Sequence, residues 1–278
     1  GALNNDLFGL AASGTPGGQA DARPITLEAI QEFQVNLAPF DVRQGSFNGA
    51  NINAVTRGGT NDFRGTAAFF GRNDAFIGKY RTLARETSSP VGEFEQWDLA
   101  FSLGGPLSRD RAHFFVAGEV SRRTDPYPAI PGVNTGVPAG SISAQVIDQV
   151  ANIARTELGY DVGAIGEFPR ETNSNNIFAR LDFQLNPDHR LTLRHNLVDA
   201  EAHRSHGGTG ANFGYETSGH RFTSTTNSTV AQLNSNFGGG LFNEFRVGAT
   251  FIRDARQIGT PFTRIRVDLG GPNNIQFG

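Results

Sequence analysis

TLEAIQEFQVNLAPFDVRQGSFNGANINAVTRGGTNDF, residues 26–63, separates two kinds of sequence. Residues 1–21 before it are polar, glycine-rich and without period, which predicts a loop or a frayed end. Arg23-Pro24 forces an extended backbone, and the Thr26 hydroxyl is placed to cap a helix of one to two turns at Leu27, Glu28, Ala29 and Ile30. A strand at 32–35, a glycine-punctuated turn region and a second strand at 52–56 follow, then Arg57-Gly58-Gly59-Thr60-Asn61. The architecture changes near Asn61.

From Phe63 the period is two. Phe63, Gly65, Ala67, Phe69 and Gly71 share one face, and Arg64, Thr66 and Arg72 the other. The same alternation recurs at 97–104, 113–121, 177–185, 191–197, 231–237 and 244–254, with Trp97, Phe101, Val116, Leu181, Leu193, Leu233 and Val247 on the apolar sides. The connections at 107–111, 186–189 and 238–240 are tight turns, while those at 73–96, 124–173 and 201–221 are long. Strict alternation of short and long connections is the asymmetry of outer-membrane barrels, and a β-sandwich has no reason to adopt it. Within the second long connection, Ile142, Val146, Val150 and Ile153 recur at helical spacing between a capping Ser141 and a stopping Gly159, which predicts a helix packed on neighbouring loops.

The segments EAIQEFQVNLAPFDVRQGSFNGANINAVTRGGTNDFRGTAAFFGRND (28–74) and FEQWDLAFSLGGPLSRDRAHFFVAGE (94–119) resemble the plug-to-barrel passage of TonB-dependent outer-membrane receptors of the Oar-like branch. The resemblance implies a mostly β fold: an antiparallel up-and-down transmembrane β-barrel, incomplete here, with part of an N-terminal α+β plug domain. Residues 1–60 would be the C-terminal part of the plug. Residues 61–278 would be the N-terminal part of the barrel, about seven or eight strands with long extracellular loops. It implies the cell outer membrane of a Gram-negative bacterium, and as partners outer-membrane lipid and a TonB-type periplasmic energy-transducing protein that acts through an N-terminal segment lying outside this sequence. The substrate would be a small molecule, a saccharide or a peptide.

Bulk properties agree with a barrel. The 278 residues contain no Met and no Cys, and the first residues show neither a charged nor an apolar leader region, so the chain reads as a piece of a longer protein. Absent cysteine excludes a disulfide framework, a thiolate metal site and a cysteine nucleophile. A net charge of -3 with no basic cluster argues against nucleic acid as a partner. No apolar run reaches the ~18 residues of a transmembrane helix, but a barrel strand needs only ~9–11 with every second one apolar. Glycine (35) and phenylalanine (23) are abundant and charged residues make up only 18%, which suits a sheet with one face in lipid. Tryptophan (1) and tyrosine (4) are scarce, so the sequence does not mark the membrane boundary.

No catalytic or cofactor-binding residues emerge. Gly78-Lys79 is followed by Tyr80 and lacks the spacing of a phosphate-binding loop, no GxSxG occurs, and the glycine clusters read as turns. His203, His206 and His220 share one long connection and are the candidates for metal capture, although no carboxylate sits at a fitting spacing. Arg64, Arg180, Asp182, Arg194, Glu244 and Arg246, with Asp98 and Glu119, occupy the polar faces; in a barrel they line the lumen, because charges facing lipid cost about 2–4 kcal/mol at the midplane. Gly45, Gly49, Gly58 and Gly59 would supply a plug–barrel hinge, or simply make turns. The expected role is uptake of a scarce substrate with no bond made or broken. A structural or adhesive outer-membrane barrel and a soluble β-sandwich binding module are the alternatives.

Overall fold

The computed structural model describes residues 17–37, 50–76, 80–82, 85–89, 93–125, 143–164, 170–204, 212–259, 261–270 and 274–278. In chain order its elements are β1 (Ile30–Leu37), β2 (Ala50–Thr56), β3 (Arg64–Asn73), β4 (Tyr80–Thr82), β5 (Arg85–Ser89), β6 (Glu95–Ser108), β7 (Ala112–Asp125) and α1 (Ala144–Leu158). There follow β8 (Arg170–Asn186), β9 (His189–Arg204), β10 (Asn212–Gly214), β11 (His220–Asn236), β12 (Phe242–Gln257), β13 (Ile265–Asp268) and β14 (Asn274–Phe277). Strands β1 and β2 pair with each other, and seven long strands form one antiparallel sheet in the order β12-β11-β9-β8-β7-β6-β3. All seven strands expected from the alternation are present, each neighbouring the next along the chain. Among the described residues the sheet is open, with β3 and β12 as its edges.

Strand pairing converts the period of two into two chemically distinct faces. One carries Leu99, Phe101, Leu103, Ile177, Phe245, Val247 and Phe251, all exposed, and no described element covers it. The apolar stripes therefore do not meet a second sheet, as a sandwich would require. Phe101 lies over Gly118 on the neighbouring strand, where an added Cβ would come within 2.5 Å of the ring; the missing side chain is what seats the aromatic. Toward the long connections this face turns polar. Trp97 stands opposite Arg122, Arg122 opposite Asn173, and Asn173 opposite Glu201. The Arg122 guanidinium sits 5.9 Å from the Trp97 ring centre. The one tryptophan thus stands at the limit of the apolar band, a boundary the composition alone does not mark.

The turns are short at one end only. Asp110 adopts a left-handed φ of 63° between β6 and β7, and Gly238, Gly239 and Gly240 all have positive φ between β11 and β12. At the other end α1 lies between β7 and β8, and its buried side packs Val146, Ile147, Val150, Ala151 and Ala154 on Tyr160, Val162, Phe213, Tyr215, Ile275 and Phe277. Gly159 ends the helix in the left-handed region as expected. The cap is Ser143, whose hydroxyl accepts from the Val146 amide at 3.3 Å; Ser141 and Ile142 lie outside the described residues. Ile153 departs from the expected stripe and is 50% exposed. Strands β13 and β14 form with β10 a three-stranded sheet beside this helix instead of extending the large one.

Two expectations for the N-terminal stretch are corrected. Residues 17–21 are not a frayed end: Gly18–Ala20 forms a 3-10 turn and Ala20 is fully buried against Ala200, Ala202 and Phe222. The helix at 27–30 is a single 3-10 turn, Leu27–Ala29, without a side-chain cap. The Thr26 hydroxyl is drawn away from the turn by a stronger partner, the Glu119 carboxylate.

Candidate functional site at the polar face of the sheet

The polar face is covered by the N-terminal segment, which crosses it diagonally. Near the long-connection end, Arg204 donates from Nε to the Gln19 carbonyl (2.7 Å) and pairs with Asp21 (3.0 Å). Farther along, Asn176 donates to the Arg23 carbonyl (3.3 Å) and Asn196 to the Pro24 carbonyl (2.8 Å). The Arg23 and Pro24 carbonyls lie outside any helix or strand, and the wall amides satisfy them. Glu119, whose side chain is 3% exposed, accepts from Arg23 Nη1 at 2.6 Å and from the Thr26 hydroxyl at 3.1 Å. Beside it a small apolar cluster joins Ala29 and Ile25 of the segment to Phe115, Ala117 and Phe178 of the wall.

The second anchor is at the end of β2. Arg180 holds Asp182 through two hydrogen bonds, Nε to Oδ2 (2.7 Å) and Nη2 to Oδ1 (3.0 Å), and donates from Nη1 to the Thr56 carbonyl (2.8 Å). Asp182 also receives Arg190 (3.1 Å) and the Thr192 hydroxyl (2.8 Å). Gly58 lies against this pair. At Gly59 the backbone meets the sheet directly: a Cβ there would overlap the Phe114 carbonyl oxygen and stand 2.9 Å from the Gly105 carbonyl oxygen. Asn61 then accepts from the Asp110 amide (2.8 Å), makes a 2.8 Å contact with His113 Nε2, and so fastens the chain to the β6–β7 turn.

The expected lumen-facing residues Arg64, Arg180, Asp182, Arg194, Glu244 and Arg246 share this face by register. Only Arg180 and Asp182 among them engage the N-terminal segment. Arg246 pairs with Glu244, Arg194 reaches Gln232 at 3.5 Å, and Arg64 stands 4.0 Å from Asp62. Of the hinge glycines, Gly58 and Gly59 are packed against the wall, and Gly45 and Gly49 lie outside the described residues. His203 and His220 do not converge, because Arg221 is paired with His203 and His220 with Arg204, which puts the two histidines on opposite faces; His206 lies outside the described residues. Parity in the sequence places Arg190 and Thr192 on the face of Asp182, whereas Arg23 and Asn61 sit in irregular stretches with no pattern to mark them, and Thr56 contributes its carbonyl from the end of β2.

A model described as an outer membrane beta barrel domain matches residues 55–157, from the end of β2 through β3, β6, β7 and α1. The chain is 21% identical over 198 residues to the TonB-dependent transporter Oar of Myxococcus xanthus. That alignment covers 68% of this chain and 17% of the relative, so the chain spans under a fifth of the length of the transporter it matches. Together with an antiparallel sheet apolar on one face and polar on the other, these matches support an outer-membrane β-barrel family for this chain and locate the protein in the bacterial outer membrane.

Proposed function

We propose that the chain is part of a TonB-dependent outer-membrane receptor that takes up a scarce substrate. In this reading the seven-stranded sheet is one side of a transmembrane barrel wall, its apolar face is in lipid, and residues 17–37 and 50–60 belong to the end of a plug docked in the lumen. The observation that carries it is the docking itself: a segment outside the sheet is fastened to the polar face at Glu119, at Arg180–Asp182 and at Asn61. A structural barrel has no need to fill its lumen with a separately held segment. The similarity to a TonB-dependent transporter favours energised uptake, for which the family resemblance implies a periplasmic protein that pulls on the plug from its N-terminal side.

The chemistry fits reversible release. The hydrogen-bonded anchors are polar, so water entering the lumen can replace the hydrogen bonds broken when the segment moves, and the apolar contacts, at Ala20 and at Ala29 and Ile25, are small. No bond is made or broken on the substrate, which is a small molecule, a saccharide or a peptide. Gly58 and Gly59 supply the pivot between the moving segment and the fixed strand β3.

The test is growth of a deletion strain on single limiting nutrients, complemented with the full-length protein or with one whose segment is tethered to the wall by a reducible bis-maleimide cross-link between Arg23→Cys and Glu119→Cys. Rescue by the first, and by the second only after reduction, is expected. Full rescue by the cross-linked protein, or no nutrient whose uptake depends on the gene, would leave an adhesive or structural barrel as the reading.

A further inference from the structure

Above the Arg23–Glu119 contact the segment does not fill the space beneath the wall. A cavity of about 110 Å³ remains, lined by Asp21 and Arg23 from the segment and by Gln96, Glu119, Ser121, Arg123, Thr172 and Ser174 from β6, β7 and β8. The wall residues run from mid-strand, at Glu119, to the row of Gln96, Arg123 and Thr172 near the long connections. We infer that this cavity binds a small zwitterion, a free amino acid or a dipeptide, which names the solute class for the uptake reading above and rests on that reading for its place in the lumen.

Three observations carry the inference. First, the charges balance within one small space: two guanidiniums, Arg23 and Arg123, and two carboxylates, Asp21 and Glu119, of which Arg23 and Glu119 are paired with each other and Asp21 with Arg204. Arg123 is engaged among the described residues only through Nε, by Asp125 at 3.0 Å, so its fork is open to a carboxylate. Second, the wall keeps acceptors without donors beside the cavity. Asp98 Oδ1 and Asn176 Oδ1 are buried and unpartnered, and register puts Asp98 opposite Ser121 and Asn176 opposite Glu119. Unpaired buried acceptors next to a carboxylate ask for a cationic N–H donor, and an ammonium is the compact one. Third, the size suits a small polar head: 110 Å³ is the space of a few waters at ~30 Å³ each, enough for the charged end of an amino acid and too little for a sugar chain. The lining also lacks the aromatic surface on which sugar rings stack.

Because Arg23 and Glu119 serve both the cavity and the docked segment, a bound carboxylate and ammonium would compete for the same two groups. Occupancy would thereby loosen the segment at its central anchor.

The probe is L-alanyl-L-alanine, titrated calorimetrically into the full-length protein in detergent, beside the same dipeptide acetylated and amidated, and maltose. Binding of the free dipeptide is expected, with affinity about tenfold lower for the blocked form and for the Arg123→Gln variant, the loss of one charge-assisted contact. Far-ultraviolet circular dichroism checks that the variant is folded. Equal binding of free and blocked dipeptide, unchanged affinity in Arg123→Gln, binding of maltose in its place, or no dipeptide binding overturns the inference. Nutrient uptake that persists with no dipeptide binding would sink the cavity assignment alone, while dipeptide binding without any uptake would sink the receptor reading alone.

Discussion

Gly59 and Gly58 are neighbours in sequence with different physical reasons to be glycine. At Gly59 a methyl group would collide with main-chain carbonyls of two strands, which cannot move aside. At Gly58 it would meet only the Asp182 and Arg180 side chains, at 3.2 and 3.3 Å, which can give. Gly59→Ala should therefore destabilise docking of the segment by about 1–3 kcal/mol and Gly58→Ala by under about 1 kcal/mol; protease cleavage within residues 17–60 in detergent is the measurement, and equal sensitivity of the two variants would refute the distinction. Asp182 is the other decisive residue, since its side chain is 4% exposed and it faces two arginines. Asp182→Ala leaves Arg180 buried without its counter-ion and should cost about 3–5 kcal/mol in urea unfolding from micelles. A loss under ~1 kcal/mol would mean that water already screens the pair.

At the level of elements, the helix and short strands at the long-connection end form a unit with its own core. Tyr215, 1% exposed, donates its hydroxyl to the Ile147 carbonyl at 2.5 Å and ties the segment before β11 to α1. Burial, helped by the nearby Asp148 carboxylate, pushes its pKa up to about 12. The raised value means that the folded unit disfavours tyrosinate: no penalty exists below the unfolded value near 10, and it grows as pH rises from about 10 to about 12, by about 1.4 kcal/mol per unit. This end of the molecule should open in that window while the sheet persists, followed by tyrosinate absorbance together with hydrogen exchange of 144–158. Tyr215→Phe should lose about 0.5–1.5 kcal/mol at neutral pH and much of the alkaline transition. An unchanged transition in that variant would assign it elsewhere.

For the whole molecule the two faces of the sheet make opposite demands. In the proposed barrel Phe101→Arg would put a charge into lipid and should destabilise membrane insertion by about 2–4 kcal/mol, whereas Gln232→Arg on the polar face should be nearly neutral. Heat-modifiable migration on gels after outer-membrane insertion reads both. Orientation follows from the same asymmetry: an epitope placed at 130–135 should be reached by antibody on intact cells, and one placed at Arg109 only after permeabilisation. The reverse pattern would invert the barrel.

The sequence by itself determined the seven strands, their order, the ends at which turns are short, and the side of each strand on which charge lies. Each of these is local, set by period two and by turn residues within a few positions. It also shows a change of period near Asn61, after the glycines at 58–59, though not what Gly59 is packed against. Only the tertiary structure decided that residues 17–26 are held on the wall, that Thr26 serves Glu119 rather than its own turn, that the loop histidines point apart, and that residues 265–277 join α1 and β10. Apart from the histidines, which the β9–β11 register sets, those outcomes depend on partners 60 to 190 residues away, and a contact at that separation leaves no period in the chain. It exists once strand register has brought Glu119, Asn176 and Arg180 to one face, where carbonyls freed by Arg23-Pro24 and by the end of β2 find the donors they lack.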